Sequence, residues 1–278
     1  KPAIGVGSTD PLARGRARVV AALPRWLSAK VPRDHQESSA AFRRRRRVVG
    51  ATSLVGAGLL GAGLSTEPGS NRFFAFTGAT AATWVVGGLA SGKLHLGYTQ
   101  GHDAQLRRPV VVPIAVGAGA FGVFYAAAVV SRYIPVLDRA IDSVLQYADH
   151  GSDGPVLLTT LANGAAEEVF FRGALYAAIG SRPVAASTGV YALATTATRN
   201  PALVLASVAM GALFGLQRRA SGGIQAPMLT HLTWSILMLR FLPPLFRRSA
   251  AQRADAASRL ATNAPSASSR RDTSESST

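Results

Sequence analysis

The sequence predicts an all-α fold, a polytopic transmembrane helix bundle of about seven spans with disordered termini. Three observations predict it. The chain is 48% apolar and only 16% charged over 278 residues, and its charge is crowded into the two ends and a few short loops. The stretches between are almost free of charge, and about 20 apolar residues suffice to cross the hydrocarbon core. Small residues recur inside those stretches, as the backbones of helices packed in lipid require.

The spans can be taken in order. The first is expected from about Val48 to Leu64, with Gly56, Gly58, Gly61 and Gly63 along it. The second runs from Phe73 to Ser91, and the third from Pro109 to Val130 with Gly117, Gly119 and Gly122. The fourth, Pro155 to Ile179, is interrupted by three charges, and the fifth, Pro183 to Thr198, is short. The sixth, Pro201 to Leu216, carries Gly211 and Gly215 as a GxxxG pair, and the seventh runs from Ile224 to about Leu239. Within a bilayer each backbone donor and acceptor must be satisfied inside its own segment, so these are helices.

Three regions follow. Residues 1–47 form a basic segment, mostly disordered and cytoplasmic. Residues 48–246 form the transmembrane domain. Residues 247–278, rich in Ser, Ala and Arg without apolar periodicity, form a disordered tail.

Charge sets the expected orientation. Residues 1–47 hold twelve Lys or Arg against three acids and end in Arg43 to Arg47. Positive flanks stay in the cytoplasm, so the first span runs from inside to outside. The basic loop Lys93 to Arg108 then lies inside. The loop Ser131 to Gly154, with Asp138, Asp142, Asp149 and Asp153 against two arginines, lies outside. Arg182, Arg218 and Arg219 fall inside, whereas seven spans place Arg247 and Arg248 outside, against the rule. The five arginines before an apolar run also resemble a secretory signal. The depth of that run in the chain and the spans after it favour a first membrane helix, in what is expected to be a bacterial plasma membrane.

The net charge of +16 raises the question of nucleic acid, but the basic residues flank spans, where topology and anionic lipid headgroups account for them. The expected partners are the lipid bilayer and a membrane-associated peptide or protein substrate, with no nucleic acid. With no cysteine in the chain, there is no thiolate nucleophile and no cysteine-ligated metal.

Chemistry is concentrated in the fourth span, Ala165-Ala166-Glu167-Glu168-Val169-Phe170-Phe171-Arg172-Gly173. Each ionisable side chain there costs about 2.5 to 3.5 kcal/mol to insert, which marks it as functional. Glu168 and Arg172, four apart with the acid first, share a helix face in the better order for an ion pair. Glu167 lies about 100° round the helix and keeps a free carboxylate. A cluster of charges at a helix end or packing contact is the structural alternative. The second intramembrane candidate is His231, with Ser235 one turn on.

Glu167-Glu168-Val169-Phe170-Phe171-Arg172 resembles the EExxxR motif of the CPBP family of intramembrane proteases, which includes the type 2 CAAX prenyl proteases and the bacteriocin-processing and abortive-infection-like bacterial proteins. The resemblance covers about residues 155–245. His231 with Ser235 is similar to the family's last motif, HxxxN, with Ser in place of Asn. The middle motif, FxxxH, has two candidates, Tyr191 to Thr195 and Phe214 to Arg218. Neither supplies the histidine, and chain order favours Thr195.

The resemblance implies an intramembrane endopeptidase. Glu167 would act as general base on water and His231 would hydrogen-bond the developing oxyanion or orient the water. Arg172 would hold Glu168, with Thr195 and Ser235 in support. Two carboxylates and a histidine could in principle ligate zinc, but with the second histidine missing no metal and no cofactor is expected. His35, His95, His102 and His150 show no ligand spacing. The alternative function is a catalytically lapsed membrane scaffold or immunity-type protein. A transporter is less favoured, because no internal repeat is found.

Overall fold

The computed structural model describes Pro24, Leu27 and residues 37–100, 105–149 and 153–262. His35, His102 and His150 lie outside the described residues, as do most of the basic N-terminal segment and the end of the tail.

Helix α1 spans Ser39–Gly63 and starts nine residues before the predicted span. Ser38 caps it, its side chain accepting from the Ala41 N–H at 3.2 Å. Arginine is a good helix former, so the five arginines continue the helix rather than preceding it. One of them turns inward. Arg45 is buried, pairs with Glu37 at 2.9 Å, and donates to Ser91 Oγ at 3.2 Å and the Lys93 carbonyl at 3.3 Å. The last residues of the segment expected to be disordered are thus tethered to the bundle.

Helix α2, Asn71–Ser91, is capped by Ser70 and packs along α1. The close approach depends on Gly56, since a Cβ there would lie inside the ring of Trp84. Trp84 is fully buried, with its ring 4.6 Å from Phe170 and 5.0 Å from Phe171. Between α2 and the next helix lies an antiparallel pair of two-residue strands, β1 (Thr99–Gln100) and β2 (Leu106–Arg107), with Thr99 opposite Arg107. This pair departs from a purely helical reading.

Helix α3 is Val111–Ser131. The segment read as an outer loop holds a 15-residue helix, α4, Pro135–Asp149. The apolar residues Ala140 and Leu145 are buried and set one face against the bundle, which is why a segment too short and too charged to span still folds as a helix. Tyr147 donates from its hydroxyl to the carbonyls of Leu64 and Thr66, at 2.9 and 2.7 Å. Asn200 donates to the Ala140 carbonyl at 2.7 Å.

The fourth predicted span is one helical rod of changing pitch: α5 (Asp153–Glu167), a π-helical segment (Glu168–Leu175) and α6 (Tyr176–Ala178). Helix α7 (Pro183–Thr195) ends in a 3₁₀ turn (Thr196–Thr198). Helix α8 is Pro201–Ser221. The turn after it is shorter than the sequence suggests, because Arg218 to Ser221 remain helical and Gly222, at φ 75°, ends the helix in the left-handed region. Helix α9 runs from Gln225 to Thr262. The tail expected to be disordered therefore begins as helix, in keeping with its Ala, Arg and Leu content.

Three helices, α2, α3 and α8, are long and apolar enough to cross a membrane. The other predicted spans are helical but do not meet both conditions. Helix α7, with 13 residues, reaches about 20 Å at 1.5 Å per residue, short of the roughly 30 Å core. Exposed apolar side chains such as Leu54, Val111, Val123 and Leu193 form the outer surface, where lipid is the natural solvent. Only 17% of the α3 window is buried against 39% of the α8 window, so α8 runs deeper in the bundle. The main core joins Val49, Trp84, Ala166, Phe170, Phe171, Ala174 and Leu175, and it backs directly onto the charged motif.

Candidate active site

The π segment carries the motif. Its Tyr176 N–H bonds to the Phe171 carbonyl, five residues back. Such wide turns are rare and recur at functional sites. The wider turn keeps the expected ion pair, with Arg172 Nη1 3.3 Å from Glu168 Oε1 and both side chains sealed from solvent. Arg218 on α8 crosses to donate Nε–H to the Arg172 carbonyl at 2.6 Å, satisfying an acceptor in the disturbed helix ladder.

His231 completes the cluster. Its Nδ1 lies 3.0 Å from Glu168 Oε1. The carboxylate that binds Arg172 therefore also orients the imidazole, leaving Nε2 as the ring nitrogen available to a ligand. That edge of the ring lies over Gly164, where an added Cβ would sit 3.6 Å from Nε2. Phe214 stacks on the imidazole with centroids 4.9 Å apart.

The Arg172 guanidinium is enclosed by rings. Its Cζ lies 4.6 Å from the centre of Tyr191 and 4.9 Å from that of Phe214. Beyond the ion pair, none of its three nitrogens has a hydrogen-bond partner among the described residues. Cation–π attraction, worth about 2 kcal/mol when desolvated, offsets part of that deficit.

Glu167 is separate from this sealed cluster. It is partly exposed where Glu168 is fully buried. Its Oε2 accepts from the Tyr191 hydroxyl at 2.6 Å. It directly precedes Glu168, and the Tyr191 ring that it binds carries the Arg172 guanidinium on its face.

The structure thus brings together Glu167, Glu168, Arg172 and His231, from the α5–π rod and α9. It does not bring Thr195 to them: the Thr195 hydroxyl donates to the Tyr191 carbonyl of its own helix at 2.8 Å. Ser235 is buried one turn beyond His231, with no hydrogen bond to the four among the described residues. Of the two middle-motif candidates, the favoured Tyr191–Thr195 stretch contributes its Tyr. The other contributes both its ends, Phe214 over His231 and Arg218 on the rod. Sequence reasoning missed Tyr191 as a partner of Glu167. The available signal was a hydroxyl-tipped residue where the motif has Phe.

The carboxylates and imidazole are engaged with one another or with Tyr191, and among the described residues no group of three His, Cys, Asp or Glu is arranged to hold a metal ion. His95 is exposed, its carbonyl accepting from the Ile224 N–H at 2.9 Å.

Three helices long and apolar enough to cross a membrane, packed with a buried ionisable cluster, mark an integral membrane protein. Residues 154–237, which carry that whole cluster, match the family model described as type II CAAX prenyl endopeptidase, Rce1-like. The CPBP/CAAX protease family recognised from the motifs is thereby shown for this segment, while α1 to α4 lie outside the match. No curated protein and no solved structure matches the chain.

Proposed function

We propose that this protein is an intramembrane endopeptidase in which Glu167 activates a water molecule. The observation that carries the reading is the division of labour between adjacent carboxylates. Glu168 is sealed and bound to Arg172 and His231, while Glu167 is partly exposed and, among the described residues, bound through Oε2 to Tyr191. A carboxylate neutralised by a buried cation is a poor base, and an accessible one is a better base.

In this reading Glu167 Oε1 takes a proton from water as the water oxygen bonds to the scissile carbonyl carbon. The carbonyl oxygen becomes an oxyanion, and His231 Nε2–H, on an imidazolium oriented by Glu168, donates to it. The C–N bond then breaks and the proton held by Glu167 passes to the leaving nitrogen.

The substrate is a membrane-associated peptide or protein, reached from the bilayer. The basic start of α1 lies on the cytoplasmic face of a bacterial plasma membrane, and the α5–π rod, α7 and α9 complete the intramembrane bundle around the three apolar spans.

The test is cleavage of a membrane peptide library, including prenylated C-terminal peptides, by the purified protein in lipid vesicles. Cleavage by the unaltered protein and none by Glu167→Gln supports the reading; no cleavage by either sinks it. The missing middle-motif histidine favours a second reading, a non-catalytic scaffold or immunity-type protein, which predicts that second outcome.

A further inference from the structure

We infer that Tyr191 is a positioning residue for the Glu167 carboxylate, holding Oε2 so that Oε1 alone faces the reacting water; its catalytic part rests on the endopeptidase reading. The phenol lies 2.6 Å from Glu167 Oε2, a short contact typical of a hydroxyl bound to an ionised carboxylate. It is the hydrogen bond the described structure gives Glu167. The residue that chain order puts in the place of the absent histidine, Thr195, has turned its hydroxyl back to the Tyr191 carbonyl, so it holds nothing in the site.

The Tyr191 ring is itself fixed from two sides. Its centroid lies 4.6 Å from that of Phe171, and the Arg172 guanidinium sits 4.6 Å from its centre. Cation and phenol are therefore coupled. Arg172 on the ring face helps to fix the direction of the phenol. One cation thus serves both glutamates, Glu168 by direct pairing at 3.3 Å and Glu167 through the tyrosine ring.

The geometry also limits rotation. A Glu side chain has three rotatable bonds, and one partly exposed in an apolar setting would otherwise sample several rotamers or swing toward the charged pair beside it. Tethering one oxygen leaves the other with a defined direction, which is what a general base needs before substrate arrives.

The test uses the full chain in lipid vesicles. Tyr191→Phe keeps the ring on Phe171 and Arg172 and removes only the hydroxyl. Its kcat on a peptide cleaved by the unaltered protein should fall about 100-fold, as misplacement of a reacting group does, with KM and accumulation unchanged. Cleavage within about twofold of the unaltered protein, at the sensitivity of that comparison, would overturn the inference. Infrared spectra test the bond without turnover. The Glu167 carboxyl band, identified by its loss in Glu167→Gln, should move in Tyr191→Phe, and an unmoved band overturns the inference whether or not anything is cleaved. A band that moves in a protein that cleaves nothing upholds the tether and removes the endopeptidase reading alone.

Discussion

Glu168 Oε1 stands 3.0 Å from His231 Nδ1, a contact spanning 63 residues of chain. The same oxygen faces Arg172 at 3.3 Å. One carboxylate oxygen therefore joins the π segment to α9, while Glu168 Oε2 has no hydrogen-bond partner among the described residues. The fold at this point depends on charge balance as much as on packing.

Arg172→Ala is expected to lower the amount of folded protein sharply. Removing one partner of a buried pair costs roughly 3 to 5 kcal/mol because the remaining charge is stranded. Adding Glu168→Gln should recover part of the loss, since the stranded carboxylate is then removed. Accumulation in membranes and thermal unfolding in detergent measure both. Normal accumulation of Arg172→Ala would refute a structural role for the pair.

The two glutamates should separate in their phenotypes. Glu167→Gln is expected to abolish cleavage and leave abundance unchanged. Glu168→Gln is expected to lower stability first, by roughly 3 to 5 kcal/mol because the buried Arg172 charge is left without its partner, and activity as a consequence. The reverse pattern would exchange their roles. Paired measurements of protein level and cleavage decide it.

Two glycines of α1 should respond in opposite ways. Gly56→Ala puts a Cβ into the Trp84 ring and should destabilise by about 1 to 3 kcal/mol, the usual cost of overpacking. Gly58 has nothing within 4 Å of an added Cβ. Gly58→Ala should be neutral or slightly stabilising, because alanine is the better helix former. Equal melting temperatures for both variants would contradict the packing of α1 on α2.

Reporter fusions after Asp103 and after Asp149 should report opposite faces of the membrane, the first cytoplasmic. The segment between them contains α3, the most apolar of the three candidate spans. Reporters on the same face would overturn the orientation drawn from the arginines.

Much of this was legible because burial in lipid leaves a coarse mark. Uncharged stretches of suitable length became α2, α3 and α8, and the expense of charge in an apolar segment singled out Glu167, Glu168 and Arg172. The π segment left no such mark, since eight residues of π pitch have no hydrophobic period distinct from their α neighbours. Helix α4 was hidden because its acidic residues read as a loop, although its apolar face is buried against the bundle. The start of α1 and the first part of the tail were missed for a related reason. Composition without apolar periodicity suggested disorder, while capping by Ser38, the Arg45–Glu37 pair and alanine content favour helix. The Tyr191–Glu167 bond could not be read from spacing, because it joins two helices whose relative rotation is set by packing.

The pitch change in the fourth helix also makes the site sensitive to insertions and deletions. A π turn is an α-helix carrying one extra residue, so deleting one residue between Val169 and Phe171 would let the rod return to α pitch. Residues beyond Leu175 would keep their register, because the deletion removes the residue that the wide turn accommodates, and the change would be confined to the π segment, where Arg172 would stand three residues from Glu168 instead of four. Arg172 would leave its place between Tyr191 and Phe214, and the carbonyl that Arg218 holds would face another way. A single-codon deletion here should therefore dismantle the cluster while leaving the hydropathy profile almost unchanged, so that a relative shortened by one residue at this point could look intact by composition and yet lack the site.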